Sequence, residues 1–128
     1  MADATTATKP RRVAQVIRLK PEKLDEYRKL HAAVWPEVLG RIAASNIRNY
    51  TIFYSRETEM LFANFEYVGT DWDADMAAIA ADESTRRWWE ITDPCQESIA
   101  ADPASGSADA AASGKAWWAV AEEVFHTD

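Results

Sequence analysis

The chain has 128 residues, of which 48% are hydrophobic and 27% charged, a composition typical of one globular domain rather than of two domains or a disordered chain. Its 14 basic and 21 acidic residues give a formal net charge of -7, which argues against a nucleic-acid or anionic-membrane surface, since phosphate binding needs a basic face. No apolar stretch reaches the roughly 18 residues of a membrane span, and the N-terminal residues do not have the pattern of a secretory signal.

The first half of the domain is predicted to run from a strand into two helices. Residues 1–10 are polar and aperiodic and are predicted to form a disordered leader, so that a single domain spans residues 11–128. A run rich in β-branched residues predicts a strand over 13–19. Pro21 opens a helix, and Pro36 interrupts its pattern and starts a second, short amphipathic helix. In the first helix the residues on one face follow spacings of three and four: Leu24, Tyr27, Leu30, His31 and Val34.

The second half is predicted to contain a hairpin and two further helices. Residues 50–54 and 60–68 indicate two strands around a tight turn. Helices are predicted over 71–82 and from 84 to about 91. Residues 100–114 consist only of Ala, Ser, Asp, Gly and Pro, which predicts a flexible surface loop.

The order of these elements predicts the fold class. With a final strand in residues 117–126, the order is that of an α+β, ferredoxin-like split βαβ fold, a four-stranded antiparallel sheet with helices on one face. The hairpin carries large apolar side chains on both faces, with Tyr50 and Tyr54 opposite Phe53. The face without helices is therefore expected to be covered by a second subunit in a homodimer. The alternative is a monomer whose helices and long loop cover both faces.

Two histidines are the side chains best suited to proton transfer near neutral pH. His31 is a better candidate than His126, because it lies four residues after Tyr27 and four before Trp35, so that helical geometry places all three on one stripe. A histidine on an apolar helix face is more often a packed core residue than a catalytic one, and both interpretations stay open at this point.

Other reactive chemistry finds little support in the sequence. The histidines lie at opposite ends of the chain, no metal-ligand spacing is present, and no metal site is expected. The four glycines form no phosphate-binding pattern. Cys95 is more simply explained as a small buried residue than as a nucleophile. As the single cysteine it cannot form an intramolecular disulfide, which favours a reducing compartment, the cytoplasm by default.

The chain is unusually rich in tryptophan. The six are Trp35, Trp72, Trp88, Trp89, Trp117 and Trp118. They can serve as core and interface packing, or they can line a pocket with flat aromatic faces. An acidic, aromatic-rich domain with one or two proton-transfer groups suits a carbohydrate, whose C–H faces pack on aromatic rings and whose neutrality requires no basic pocket.

Several short segments form a specific combination. They are the pattern E-Y-x-x-x-H-x-x-x-W-P-E at residues 26–37, Asn49-Tyr50-Thr-Ile, Leu61-Phe-Ala63, Arg87-Trp88-Trp89 and Glu123-Val-Phe125. Together, over residues 12–99 and the last strand, they resemble the L-rhamnose mutarotase family. The resemblance implies a dimeric ferredoxin-like α/β barrel that interconverts the α and β anomers of a pyranose without a cofactor.

The resemblance also implies roles for individual residues. His31 is the implied principal acid/base, with Tyr27 and Tyr50 as pocket hydroxyls, and either tyrosine or a bound water completes the proton transfer. Trp88 and Trp89 are implied to be walls that contact the sugar, and Trp35 and Asn49 are expected to bind it too.

Two segments depart from the family pattern, residues 93–97 and the stretch from the low-complexity loop to Trp117 and Trp118. L-rhamnose is the expected substrate, and L-fucose is an alternative. Two other functions stay open, since fold alone does not decide function. One is a non-catalytic sugar-binding or regulatory module, and the other is a cofactor-independent monooxygenase of the same fold.

Overall fold

The computed structural model describes residues 9–128, and most of the predicted leader lies outside the described residues. Its elements follow in chain order: β1 (Arg11–Leu19), α1 (Leu24–Ala32), α2 (Pro36–Ala44), β2 (Ile47–Ser55), β3 (Met60–Tyr67), α3 (Trp72–Ala81), α4 (Glu83–Thr92), β4 (Gln96–Glu97), α5 (Ser107–Ser113) and β5 (Ala119–Ala121). Short 3-10 turns precede α1 and follow α4. In the described part of the chain no helix combines the length and apolarity of a membrane span.

The strands form one antiparallel sheet with the spatial order β2-β3-β1-β4, and β5 also pairs with β1. This arrangement confirms the α+β, ferredoxin-like fold. The fourth strand position is divided between two short strands, because β4 pairs with Arg18 and Leu19 whereas β5 pairs with residues 14–16. Both lie on the edge of β1 that β3 leaves free.

The core lies between the inner face of the sheet and the helices. Side chains alternate along β1 and β3, so that Ile17, Leu19 and Leu61 point inward and are almost completely buried. Tyr27 from α1 and Cys95 from the turn after α4 complete this cluster. Helices α2 and α3 both pack against α4. Leu24 and Tyr27, two residues of the stripe that the spacing predicts, are the ones of α1 that pack into this cluster.

The outer face of the sheet carries exposed apolar side chains. Phe53 on β2 and Phe62 on β3 are directly opposite each other in the register, and they are 60% and 41% exposed. Val16 on β1 is the next neighbour of Phe62. Within residues 9–128 the helices therefore cover one face of the sheet only, as the element order predicts.

The structure corrects two predictions for the C-terminal part of the chain. The predicted loop at residues 100–114 contains α5, and Gly114 ends that helix in the left-handed conformation with φ 79°. A composition of small residues indicates a loop only weakly when it is rich in alanine, the residue with the highest helix propensity. The final strand is limited to Ala119–Ala121, and beyond it Glu123 contacts β1 through an ion pair with Arg12 (2.6 Å).

The connection from β3 to α3 requires a glycine. Tyr67 at the end of β3 donates a hydrogen bond from its hydroxyl to the carboxylate of Asp75, and the same hydroxyl accepts one from the backbone N–H of Asp71 (3.1 Å). A Cβ atom on Gly69 would lie 2.4 Å from that hydroxyl oxygen and 2.7 Å from Asp75 Oδ2. The position of Gly69 therefore has no room for any side chain.

We expect Gly69→Ala to lower the free energy of unfolding by about 1–3 kcal/mol, because the added methyl group overpacks a buried hydrogen-bonded pair. Gly40 is the matched control, since it lies inside α2 and no atom comes within 4 Å of a Cβ placed there. Gly40→Ala should raise the stability by about 0.5–1 kcal/mol through helix propensity. Urea denaturation followed by tryptophan fluorescence measures both, and equal effects of the two changes would contradict this account.

Candidate active site

Helix α1 places two of the predicted site residues against each other. Tyr27 and His31 are one turn apart, and their rings stack with centroids 4.2 Å apart. The rings of His31 and Trp88 on α4 meet edge to face with their centroids 5.4 Å apart, and those of Trp88 and Trp35 do so at 5.2 Å. Trp35 lies at the start of α2, where Pro36 redirects the chain. Four predicted residues thus form one group, which we call the aromatic cluster: Tyr27, His31, Trp35 and Trp88.

The hydrogen bonding of His31 determines which of its nitrogens is available. His31 Nδ1 lies 2.9 Å from the backbone carbonyl oxygen of Tyr27. A carbonyl oxygen can only accept, so Nδ1 carries the proton and the neutral ring keeps its lone pair on Nε2. Among the described residues Nε2 has no hydrogen-bond partner. Burial lowers the pKa of His31 from 6.5, against the opposing effect of the Tyr27 carbonyl, and the ring is therefore neutral at pH 7.

Tyr27 contributes a buried hydroxyl to the site. Gln96 on β4 donates to this hydroxyl oxygen from Nε2 at 3.1 Å, and Trp117 donates to Gln96 Oε1 at 3.1 Å. Burial, and next the neighbouring Tyr50, raise the pKa of Tyr27 well above 10, so the phenol stays protonated. No local sequence pattern predicts Gln96 or Trp117 at this site, because both are distant from Tyr27 along the chain.

A second group of aromatic rings lies along the inner face of the sheet. The ring centroids of Tyr50 on β2 and Phe65 are 5.3 Å apart, and Phe65 stacks on Trp72 with centroids 6.3 Å apart. The Arg11 guanidinium lies over the Trp72 ring at 3.9 Å, a cation–π contact. Tyr50 is 40% exposed, yet burial around it raises its pKa. The Tyr50 side chain is thus partly exposed beside the rings of the inner face.

The other two predicted site residues lie apart from the aromatic cluster. Asn49 Nδ2 donates to Glu66 Oε1 at 2.6 Å, and Glu66 pairs with Arg12 in the sheet register and points to the outer face with it. A β-bulge after Arg48, with Asn49 at φ 53°, sends Asn49 outward and Tyr50 inward. Trp89 follows Trp88 on α4, about 100° further round the helix, and is half-buried.

The chemistry of the site follows from these groups. It offers a neutral imidazole with a free acceptor nitrogen, two protonated phenols and several flat aromatic surfaces. Across residues 9–128, no group of three or more His, Cys, Asp or Glu side chains is arranged to hold a metal ion. Such a set of groups can move a proton to and from a hydroxyl of a neutral, partly apolar ligand.

Comparison with known proteins identifies similar chains. The family model described as L-rhamnose mutarotase matches residues 12–127. A curated L-rhamnose mutarotase from Listeria monocytogenes serotype 4b (strain F2365) is 37% identical over 87 residues, which are 68% of this chain and 81% of that protein. One from Burkholderia orbicola (strain MC0-3) is 39% identical over 77 residues, 60% of this chain and 71% of that protein. The crystal structure of an L-rhamnose mutarotase from Formosa agariphila superposes with a TM-score of 0.66 at 24% identity, covering 92% of this chain and 99% of that one.

We expect His31 to titrate below its ordinary pKa of 6.5, because burial disfavours the charged ring, and its neutral form to carry the proton on Nδ1. Long-range proton–nitrogen correlation NMR over a pH series reports both properties. The chain has only two histidines, so a His126→Gln variant assigns the spectrum. A midpoint above 6.5, or an Nε2-protonated neutral ring, would contradict the geometry described for His31.

Proposed function

The chain belongs to the L-rhamnose mutarotase family, and we propose that it interconverts the α and β anomers of L-rhamnose with His31 as the principal acid and base. One observation carries this proposal. The backbone carbonyl of Tyr27 holds the Nδ1 proton of His31, so that the free Nε2 is the one nitrogen of that ring able to exchange a proton with a ligand.

The reaction needs two proton transfers in each direction. Nε2 of His31 accepts the proton of the anomeric hydroxyl, and the bond between the anomeric carbon and the ring oxygen breaks. The ring oxygen gains a proton from the hydroxyl of Tyr27 or Tyr50 or from a bound water. Rotation of the open-chain aldehyde and closure on its other face reverse both transfers. A neutral imidazole near neutrality can take up the first proton and later return it. No cofactor enters this sequence of steps.

The remaining site residues are proposed to bind and orient the sugar. Tyr27 and Tyr50 present protonated hydroxyls for sugar oxygens, and their raised pKa values keep them protonated. Trp35, Trp88 and Trp89 supply flat surfaces for the C–H faces and the methyl group of a deoxyhexose. For Asn49 we propose an indirect role, since its bond to Glu66 fixes the bulge that turns Tyr50 inward.

We also propose that the protein is a homodimer that associates through the outer face of the sheet. Phe53, Phe62 and Val16 form adjoining apolar positions on that face, and a second copy would remove them from water.

Since Cys95 is the single cysteine and is a buried free thiol, we propose a cytoplasmic location.

Replacing His31 by Ala or Gln should reduce anomer exchange by about 100-fold or more, the usual contribution of a general acid/base. Proton NMR magnetisation exchange between the anomers of L-rhamnose measures the rate, with L-fucose as the comparison sugar. His126→Ala removes the chain's other histidine, which is exposed near the C-terminus, and should leave the rate unchanged. Full exchange in the His31 variants would exclude the assigned role. Saturable sugar binding by the unaltered protein without exchange would identify a binding module instead.

Phe53→Asp should convert the dimer to a monomer, because a charge at this position would be buried against the second subunit. Light scattering coupled to size-exclusion chromatography gives the molar mass. Leu39→Asp is the control, since Leu39 is 52% exposed on α2, on the helical side of the molecule. A monomeric unaltered protein, or a Phe53→Asp variant that stays dimeric, would refute association through this face.

A further inference from the structure

Three side chains form a buried chain of hydrogen bonds that ends at the candidate active site. Trp117 Nε1 donates to Gln96 Oε1 at 3.1 Å, and Gln96 Nε2 donates to the hydroxyl oxygen of Tyr27 at 3.1 Å. Gln96 and Tyr27 are each 5% exposed, so water does not substitute for either partner. The direction of each bond therefore matters for the next one.

The indole of Trp117 sets this direction. An indole N–H is a donor only, so the group of Gln96 that faces it must be the carbonyl oxygen. The amide nitrogen then faces Tyr27, and since that nitrogen also only donates, the phenol oxygen must accept. A rotated amide would place two N–H groups against each other and leave a buried donor unsatisfied, which costs about 1–3 kcal/mol.

The proton of Tyr27 is consequently directed away from Gln96. In the part of the chain that the structure describes, Tyr27 donates no hydrogen bond from its hydroxyl. Tyr50 lies close enough to contribute, after burial, to the raised pKa of Tyr27. The Tyr27 oxygen already accepts a hydrogen bond, whereas its O–H is free to donate one to an acceptor oxygen of a ligand.

The segment that brings Trp117 to this place is anchored on both sides. The carboxylate of Asp93 accepts from the backbone N–H (2.8 Å) and the hydroxyl (2.7 Å) of Ser107 at the start of α5. The backbone N–H of Ala104 donates to the carbonyl of Ala116 at 2.9 Å, immediately before Trp117. Residues 98–118 are thus tied to the turn after α4, and Trp117 packs against the core cluster.

We propose that Gln96 and Trp117 are positioning residues that hold Tyr27 as a hydrogen-bond donor to a sugar oxygen of the substrate. This inference rests on the proposed mutarotase function and adds a directional requirement to it. His31 presents an acceptor and Tyr27 presents a donor, and the two rings are stacked. A pyranose meets both requirements, because its anomeric hydroxyl donates and its ring oxygen only accepts.

Gln96→Glu is the sharpest test, since it replaces the amide nitrogen by an oxygen of nearly the same size. One carboxylate oxygen still accepts from Trp117, and the other now accepts the phenol proton, so Tyr27 no longer has a proton to offer the sugar. We expect the kcat/KM of anomer exchange to fall by about tenfold, the equivalent of about one strong hydrogen bond.

Trp117→Phe frees the amide to rotate and should lower kcat/KM by about two- to fivefold. Trp118→Phe removes the neighbouring indole as a control and should leave kcat/KM within about twofold of the unaltered value.

Two comparisons separate positioning from a general loss of stability. In a Tyr27→Phe background, neither Gln96→Glu nor Trp117→Phe should lower the exchange rate further, because the group on which they act is absent. If they lower the rate equally in both backgrounds, the proposal is overturned. Because Gln96→Glu introduces a buried acid and can unfold the chain, Trp117→Phe alone suffices for this comparison.

The direction of the bond can also be measured without any sugar. The chain has four tyrosines, so ζ-carbon labelling gives four signals, and Tyr27→Phe identifies the one from Tyr27. Gln96→Glu should move this signal downfield, as expected for a phenol that donates to a carboxylate, and an unmoved signal in a folded variant would overturn the proposal. If the signal moves but the unaltered protein exchanges no anomers, the mutarotase proposal fails while the bond direction stands.

Discussion

The buried hydroxyl of Tyr27 is the constraint on which the arrangement of the site depends. Tyr27 belongs to the hydrophobic core cluster with Ile17 and Leu61, yet it carries a polar group that needs a partner away from water. Gln96 supplies that partner, and Gln96, being buried as well, needs Trp117. One polar atom in the core therefore links α1 to β4 and to the segment that follows it. Within residues 9–128 no buried side-chain nitrogen or oxygen is left without a partner.

The sheet separates two surfaces with different chemistry. Its inner face carries Tyr50 and the rings that continue to Trp72, whereas its outer face carries the apolar pair Phe53 and Phe62. Because side chains alternate along a strand, a shift by one residue would exchange the two surfaces. The bulge after Arg48 is the point where β2 departs from this alternation, and it decides that Tyr50 faces the site. A single irregularity in β2 thus affects the side chains on both faces of the sheet.

The sequence predicts a structural feature well when the residues that determine it are close together along the chain, and poorly when they are far apart. The stripe of Tyr27 and His31 follows from helix geometry over one turn, and the sequence predicts it correctly. The bond between Gln96 and Tyr27 joins residues 69 positions apart, and no local pattern reveals it. The loop prediction for residues 100–114 is wrong for a different reason. Alanine, serine and aspartate are compatible with either a helix or a loop, and the helix start is fixed by a contact from outside the segment, the bond from the Ser107 N–H to Asp93. The outward position of Asn49 depends on a bulge in the pairing of β2 with β3, and asparagine, which tolerates the φ of 53° found there, is only a weak signal of it.

The two groups proposed to contact the sugar, His31 and Tyr27, are oriented by hydrogen bonds of different range along the chain. His31 is oriented by a carbonyl of its own helix, so Nε2 stays an acceptor as long as α1 is folded. Tyr27 is oriented by a partner that depends on the fold of residues 98–118. Changes in that segment can alter the hydrogen bonding of Tyr27 without disturbing the imidazole of His31. Local opening of the segment would likewise release the phenol and leave the base in place. The two proposed roles can therefore be altered independently, because they depend on different parts of the chain.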